Sequence, residues 1–226
     1  MKSRQEIKAL AKEAMGMQRG TAILLGFVYM IVAFVWIGLM VPFMDFETGL
    51  HGAGYWVIYI IGMPIFIVLG VNFLGEYIKI WNQDEASVGA LFSGLGVNFA
   101  RKLGGSLWMG LWIVLWMFLL IIPGIIKGLS YYFTTNILAD CPDVKATDAI
   151  KISMRITKGH KMDIFVFILS FFGWFILSGL TLGILYIVYV GPYFYTADAG
   201  LYTELKEKAL ANGTITMDEL NGHPLS

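Results

Sequence analysis

The chain has 226 residues, of which 58% are hydrophobic and 14% are charged, and its 16 basic residues balance its 16 acidic residues. Soluble domains are about 45–50% apolar and about 25% charged, so this composition excludes an ordinary soluble domain and indicates an integral membrane protein. Zero net charge indicates no particular partner, and nucleic-acid binding is not expected because the basic residues lie beside the apolar segments rather than on a separate domain. A single cysteine, Cys141, excludes an internal disulfide framework.

Apolar segments along the chain predict an all-α fold, a polytopic bundle of about six transmembrane helices arranged in three hairpins. A helix needs about 20 predominantly apolar residues to cross a bilayer. The predicted spans cover residues 20–41, 55–79, 104–122, 125–140, 162–178 and 183–202, each bound being approximate. Together they form a single membrane domain over residues 1–210, and residues 211–226 form a polar tail.

Proline and glycine residues set the breaks between these spans. Pro42 ends the first span. Pro123 and Gly124 predict a hairpin turn between the third and fourth spans, because proline lacks an N–H group and glycine tolerates turn conformations. A single re-entrant element at this place is the open alternative. The segment "SGLTLG", residues 178–183, predicts the bend before the last span.

The distribution of basic residues predicts the orientation in the membrane. Every Lys and Arg except Lys127 lies in or directly beside residues 1–20, 80–103, 140–161 or the C-terminal tail. The first loop on the opposite side contains Asp45 and Glu47 but no basic residue. Because short cytoplasmic loops are enriched in Lys and Arg, we expect a multi-pass protein of the bacterial plasma membrane with both termini cytoplasmic.

Three segments on the predicted cytoplasmic side have amphipathic helical patterns: residues 3–18, 85–99 and 143–158. In the first, Ser3 and Glu6 have the spacing of a helix capping box. Each segment places apolar residues on one helical face, which is typical of a helix that lies in the membrane interface. We therefore expect three interfacial helices, each preceding a hairpin.

A basic stripe lies on the last of these helices. Lys151, Arg155 and Lys158 follow one another at helical spacing, and His160 and Lys161 stand where the next span begins. Each such cation contributes about 1 kcal/mol of attraction to an anionic leaflet. The stripe is therefore a candidate site for an anionic lipid headgroup. The alternative is that these charges only fix the orientation of the loop.

Polar residues inside the predicted spans form a second candidate site. They are Asn72 and Glu76, Asn136 and Asp140, and Asp198. Ionisable groups within spans usually face the bundle interior, where they mark pathways for ions or substrates. One interpretation is a polar seam for transport. The other is that these groups lie close to the cytoplasmic interface and bond to Lys79, to Arg101 or to each other.

Motifs of known enzymes are missing from the sequence. The segment "GALFSGLG" lacks the Gly-Lys-Ser/Thr of a phosphate-binding loop, and no HExxH or nucleophile elbow occurs. His51, His160 and His223 are far apart in sequence and have no cysteine pair near them, so no metal site is predicted. We expect a non-enzymatic protein without a cofactor.

Several motifs in the C-terminal half resemble a known family. They are Pro123-Gly124-Ile125-Ile126-Lys127, Asp140-x-Pro142, Ile150-Lys151-x-Ser153, Lys158-Gly159-His160-Lys161, Phe171 to Trp174 and Pro192-Tyr193. Over about 85 residues the chain is similar to the domain-of-unknown-function 975 family of bacterial integral membrane proteins, found widely in Firmicutes. The resemblance implies a six-helix membrane protein of a Gram-positive-type cell and carries no established activity.

Two functional hypotheses follow. The first is a membrane protein that engages anionic lipid at the cytoplasmic face through the basic stripe and serves the cell envelope, with membrane lipids as its partners. The second is a small transporter, or a membrane subunit of an exporter, that uses the intramembrane acids. The sequence does not indicate an oligomeric state or a protein partner.

Overall fold

A computed structural model describes residues 2–45, 51–119 and 121–223, and these residues form helices with one isolated β-bridge between Met44 and His51. The helices are α1 (Arg4–Met17), α2 (Arg19–Met40), α3 (Ala53–Asn82), α4 (Val88–Ser93), α5 (Phe99–Leu119), α6 (Ile121–Tyr131), α7 (Thr134–Asp140), α8 (Ala146–Ile156), α9 (Lys161–Leu169), α10 (Phe172–Leu180), α11 (Gly191–Ala211) and α12 (Met217–Leu220). Glu47, in the predicted acidic loop, lies outside the described residues.

Three helical segments in the described part of the chain are long and apolar enough to cross a membrane: Arg19–Phe43, Ala53–Asn82 and Lys161–Leu180. The first two correspond to the first two predicted spans. The third joins α9 and α10, which are separated by a turn at Ser170 and Phe171. The prediction of helices long and apolar enough to span a membrane is thus confirmed for these segments, whereas six crossings stay a prediction.

The other three predicted spans are also helical, but two of them are interrupted. The fourth is divided into α6 and α7 by a turn at Tyr132 and Phe133. The sixth begins after Gly183, passes through a π-helical turn at Tyr186–Val190 and continues as α11. The wider turn stands directly before Pro192, which has no N–H and clashes with the carbonyl of Val188 in a regular helix.

Pro123 and Gly124 do not form the turn between α5 and α6. Both residues lie within the described helix α6, Ile121–Tyr131. Gly124 lies against Met117 of α5, where a Cβ atom would come within 2.8 Å of the methionine side chain. The glycine therefore serves the close approach of the two helices.

The helices α2 and α3 are antiparallel, because residues early in α2 contact residues late in α3 and the reverse. The Tyr77 hydroxyl of α3 donates a 2.7 Å hydrogen bond to the carbonyl of Ala22 in α2, and the Trp36 ring stacks on Tyr59 further along the same pair. At the centre of the molecule, α11 packs on both α1 and α3. The core around it contains the buried side chains of Ala197, Leu201 and Tyr202.

The amphipathic helices turn their apolar faces toward the protein. In α1, Ile7, Ala11, Ala14 and Met15 are buried, and this helix packs mainly on α11. In α8 the buried face includes Ile152 and Ile156, and the helix packs on α5 and α7. The predicted helix over 85–99 is shorter, because α4 ends at Ser93 and a 3-10 turn follows at Gly94–Gly96.

Candidate functional site

A small basic cavity lies where the end of α8, the turn after it and α11 meet. It has a volume of about 110 Å³, and its basic lining residues are Arg155, Lys158, His160 and Lys208. Gly159 makes this turn possible, because its φ of +83° is a left-handed conformation that residues with a Cβ atom rarely adopt. We call this cavity the basic pocket.

The side chains of the basic pocket are held by hydrogen bonds. The Lys208 ammonium lies 3.0 Å from Nε2 of His160, and Nδ1 of His160 lies 3.0 Å from the Asp163 carboxylate. Because an ammonium only donates, Nε2 is the acceptor and Nδ1 carries the hydrogen that Asp163 accepts. Arg155 pairs with Glu219 at 3.0 Å. Lys158 is exposed.

Only part of the predicted basic stripe reaches this pocket. Lys151 pairs with Asp148 at 2.9 Å on the exposed side of α8, and neither it nor Lys161 lines the cavity. Lys208 was missed, because the last span was expected to end near residue 202. The continued spacing of Leu201, Leu205 and Ala209, each four residues apart and all buried, is the signal that extends α11 to the pocket.

Two of the predicted intramembrane polar residues form a closed cluster with a tyrosine. The Asp198 carboxylate accepts a 2.7 Å hydrogen bond from the Tyr132 hydroxyl and a 3.4 Å hydrogen bond from the Asn136 amide. These groups join α11 to α7 and the turn before it. In the described part of the chain, the lining of neither the basic pocket nor the larger polar cavity beside α3 includes any of these three residues.

The other two acids bond to basic side chains, and one of these, Lys79, is a partner that the second interpretation names. Glu76 accepts a 2.8 Å hydrogen bond from Lys79, and its other oxygen accepts from the backbone N–H of Ser87, 2.9 Å away. One oxygen of Asp140 accepts from Tyr202 and from Lys206. Arg101 instead donates to backbone carbonyls at the end of α7.

A larger cavity with a polar lining lies between α3 and the helices α4, α5 and α7. We call it the polar cavity. Its volume is about 460 Å³. Its lining includes Asn72, Glu76, Lys79, Asn82, Asp84, Lys102 and Asp140. The structure thus brings three of the five predicted intramembrane polar residues to one cavity and adds Lys102. The described residues contain no group of three His, Cys, Asp or Glu side chains able to hold a metal ion.

Comparison with known families places most of the chain in a family. A family described as Protein of unknown function (DUF975) matches residues 56–209. Searches of curated proteins and of solved structures found no match. The matched region contains both the basic pocket and the polar cavity, apart from the Asn212 and Thr214 edge of the former.

Proposed function

Because the chain belongs to the DUF975 family, which has no established function, we propose its function from the site: a non-enzymatic plasma-membrane protein of the cell envelope whose basic pocket binds an anionic phospholipid headgroup. In this proposal the chain crosses the membrane six times, with both termini and the basic pocket on the cytoplasmic side. The observation that carries the proposal is the convergence of four basic side chains on one cavity without an acidic residue in its lining.

The chemistry of the basic pocket suits a phosphate group. Among the described residues, Nε of Arg155 has no hydrogen-bond acceptor, and the Lys208 ammonium uses one of its three N–H groups on His160. Phosphate oxygens are strong acceptors for such donors. Lys158 is exposed and so is accessible to a headgroup. Each cation at the surface adds about 1 kcal/mol of attraction to an anionic leaflet.

The surface beside the pocket suits the acyl chains of the same lipid. The helix α9 begins at Lys161, directly after the basic turn, and exposes Met162, Phe165 and Leu169. An exposed apolar helix face next to a cationic pocket offers both parts of a phospholipid a complementary surface. This continuity favours a membrane lipid over a soluble phosphate compound as the ligand.

Native mass spectrometry of the protein released in mild detergent tests the proposal. The variant carries Lys158→Glu and Lys208→Glu. The matched control is Lys151→Glu with Lys161→Glu, which makes the same charge change outside the pocket. We expect phosphatidylglycerol to stay bound to the wild type and the control, and at least a tenfold loss in the pocket variant. Equal lipid retention in all three proteins would overturn the proposal.

A competition experiment distinguishes a lipid from a free phosphate. Glycerol phosphate supplies the charged group without acyl chains. We expect millimolar glycerol phosphate to leave bound phosphatidylglycerol in place, because the apolar face of α9 also holds the lipid. Complete displacement would show that the pocket is a site for soluble phosphate compounds instead.

Transport remains the second hypothesis, and the polar cavity is the observation in its favour. Glu76 and Asp140 line that cavity, whereas Asp198 is enclosed by Tyr132 and Asn136. The acids therefore belong to separate clusters with different partners. This distribution supports a binding chamber open at one side more than a continuous row of acids across the membrane.

A further inference from the structure

Lys102 is a buried cation on the wall of the polar cavity. Its residue is only 9% exposed. The ammonium donates a 2.7 Å hydrogen bond to Oδ1 of Asn72 and a 3.2 Å hydrogen bond to the carbonyl of Gly94. Asn72 is itself fixed, because its Nδ2 donates to the carbonyl of Leu91 at 2.8 Å. Lys102 therefore holds a defined position between α3, α4 and α5.

This cation has no carboxylate partner among the described residues. An ammonium has three N–H donors, and Lys102 uses two of them on uncharged oxygens. Burial lowers the pKa of Lys102, and the charge of neighbouring Arg101 lowers it further. Since a buried charge without a counter-ion is unfavourable, an anion in the cavity would stabilise this arrangement.

The acids of the polar cavity are not equally available to a ligand. Glu76 is paired with Lys79, and Asp140 is bonded to Lys206 and Tyr202. Asp84 differs, because it is exposed and its carboxylate forms no ion pair with the described residues. After internal pairing, the cavity retains a buried positive group at Lys102 and an accessible negative group at Asp84.

We propose that the polar cavity binds a small, water-soluble zwitterion of the amino-acid type. Its carboxylate accepts a hydrogen bond from Lys102, and its ammonium lies near Asp84. The volume of about 460 Å³ leaves room for such a molecule and for water. The exposed, polar end of α3 at Asn82 and the segment after it, which includes Asp84, favour entry from water rather than from lipid. The site is separate from the basic pocket.

Binding of glycine, L-alanine and L-serine to the detergent-solubilised protein tests the proposal. Calorimetric titration compares wild type, Lys102→Met and the matched control Lys151→Met, which removes an exposed lysine outside the cavity. We expect saturable binding of at least one of these amino acids to the wild type and to the control, and at least a tenfold loss of affinity in Lys102→Met. No saturable binding to the wild type, or equal binding by all three proteins, would overturn the proposal.

A second variant keeps the test decisive if Lys102→Met does not fold. Asp84→Asn changes an exposed side chain and removes only the negative group. We expect it to weaken amino-acid binding about tenfold and to leave acetate binding unchanged, because acetate lacks the ammonium. Unchanged amino-acid affinity in Asp84→Asn would contradict the assignment of the two charged groups. Both variants leave the basic pocket intact, so failure here is distinguishable from failure of the lipid proposal.

Discussion

Arg101 and Lys102 are neighbours in sequence, yet they hold different parts of the molecule. The Arg101 guanidinium donates to the carbonyls of Leu138, Cys141 and Val144, at distances of 2.6 to 3.0 Å. The carbonyl of Leu138 lies in the last turn of α7, where helix carbonyls lack partners and attract cations, and the other two lie in the segment that follows this helix. Lys102 points to Asn72 on α3 instead. Two adjacent basic residues at a predicted membrane edge therefore make separate contacts, Arg101 with the end of α7 and the segment after it, and Lys102 with α3.

Cys141 lies in the same region, and its burial predicts that its thiol reacts slowly. Burial, with the charge of Asp140 as a smaller cause, raises the pKa of the Cys141 thiol to about 11. The thiolate is the reactive form, so at pH 8 only a very small fraction of the thiol is reactive. We expect iodoacetamide to modify Cys141 slowly in the native protein and rapidly after denaturation, as measured by intact mass.

An exposed cysteine provides the control for this experiment. Met17 is 57% exposed at the end of α1, so a Met17→Cys variant places a second thiol in water. We expect that thiol to react at least tenfold faster than Cys141 at pH 8. Similar rates at the two positions in the native protein would show that Cys141 is not protected as described.

At the level of helices, the N-terminal helix α1 depends on its contact with α11. Ala11 of α1 is fully buried, whereas Ala9 on the same helix is exposed. We expect Ala11→Asp to lower the free energy of unfolding by about 3 kcal/mol, because it buries a charge without a partner. The matched variant Ala9→Asp introduces the same charge into water. Thermal melting in detergent compares the two.

The contrast between these variants distinguishes packing against protein from packing against lipid. If α1 lay in the membrane interface without docking on α11, neither variant would change the melting temperature of the helical bundle strongly. A large decrease for Ala11→Asp with little change for Ala9→Asp supports the described contact. Equal effects of the two substitutions would contradict it.

The sequence predicts local features of these helices better than their partners. The capping box at Ser3 and Glu6 is present with both of its hydrogen bonds, and the bend before the last predicted span is found at Thr181–Gly183. Both features depend on residues that are close in sequence. By contrast, an apolar face with a helical period looks the same whether lipid or protein covers it. The period therefore could not identify α11 as the partner of α1.

The same distinction applies to the candidate sites. Helical spacing grouped Lys151, Arg155 and Lys158, with His160 and Lys161 directly after them. Three of these five predicted residues, Arg155, Lys158 and His160, line the basic pocket. Lys208 and Lys102 come from helices that are distant in sequence, and tertiary packing alone places them at their cavities. The sequence shows where charged residues lie along the chain, but it does not show which of them share a cavity.

At the level of the whole molecule, contacts of α1 restrict the possible topologies. Lys2 forms an ion pair with Glu204 near the end of α11, and Lys12 lies over the ring of Tyr193 nearer its start. The two helices are therefore antiparallel and in contact along most of α1. Because an ion pair between Lys2 and Glu204 is favoured when both groups lie in one aqueous or interfacial region, we expect the N-terminus and the end of α11 to lie on the same side of the membrane.

Terminal reporter fusions test this restriction together with the predicted orientation. A fluorescent protein that folds only in the cytoplasm and a phosphatase active only outside it are fused in turn to each terminus. Following the excess of basic residues in the segments next to the termini, we expect fluorescence from both ends and phosphatase activity from neither. Removing the ion pair with Glu204→Gln should leave this result unchanged, because the basic segments rather than one contact set the orientation. Opposite reporter results at the two ends would contradict the contact between α1 and α11, whereas phosphatase activity at both ends would preserve that contact and reverse the predicted orientation.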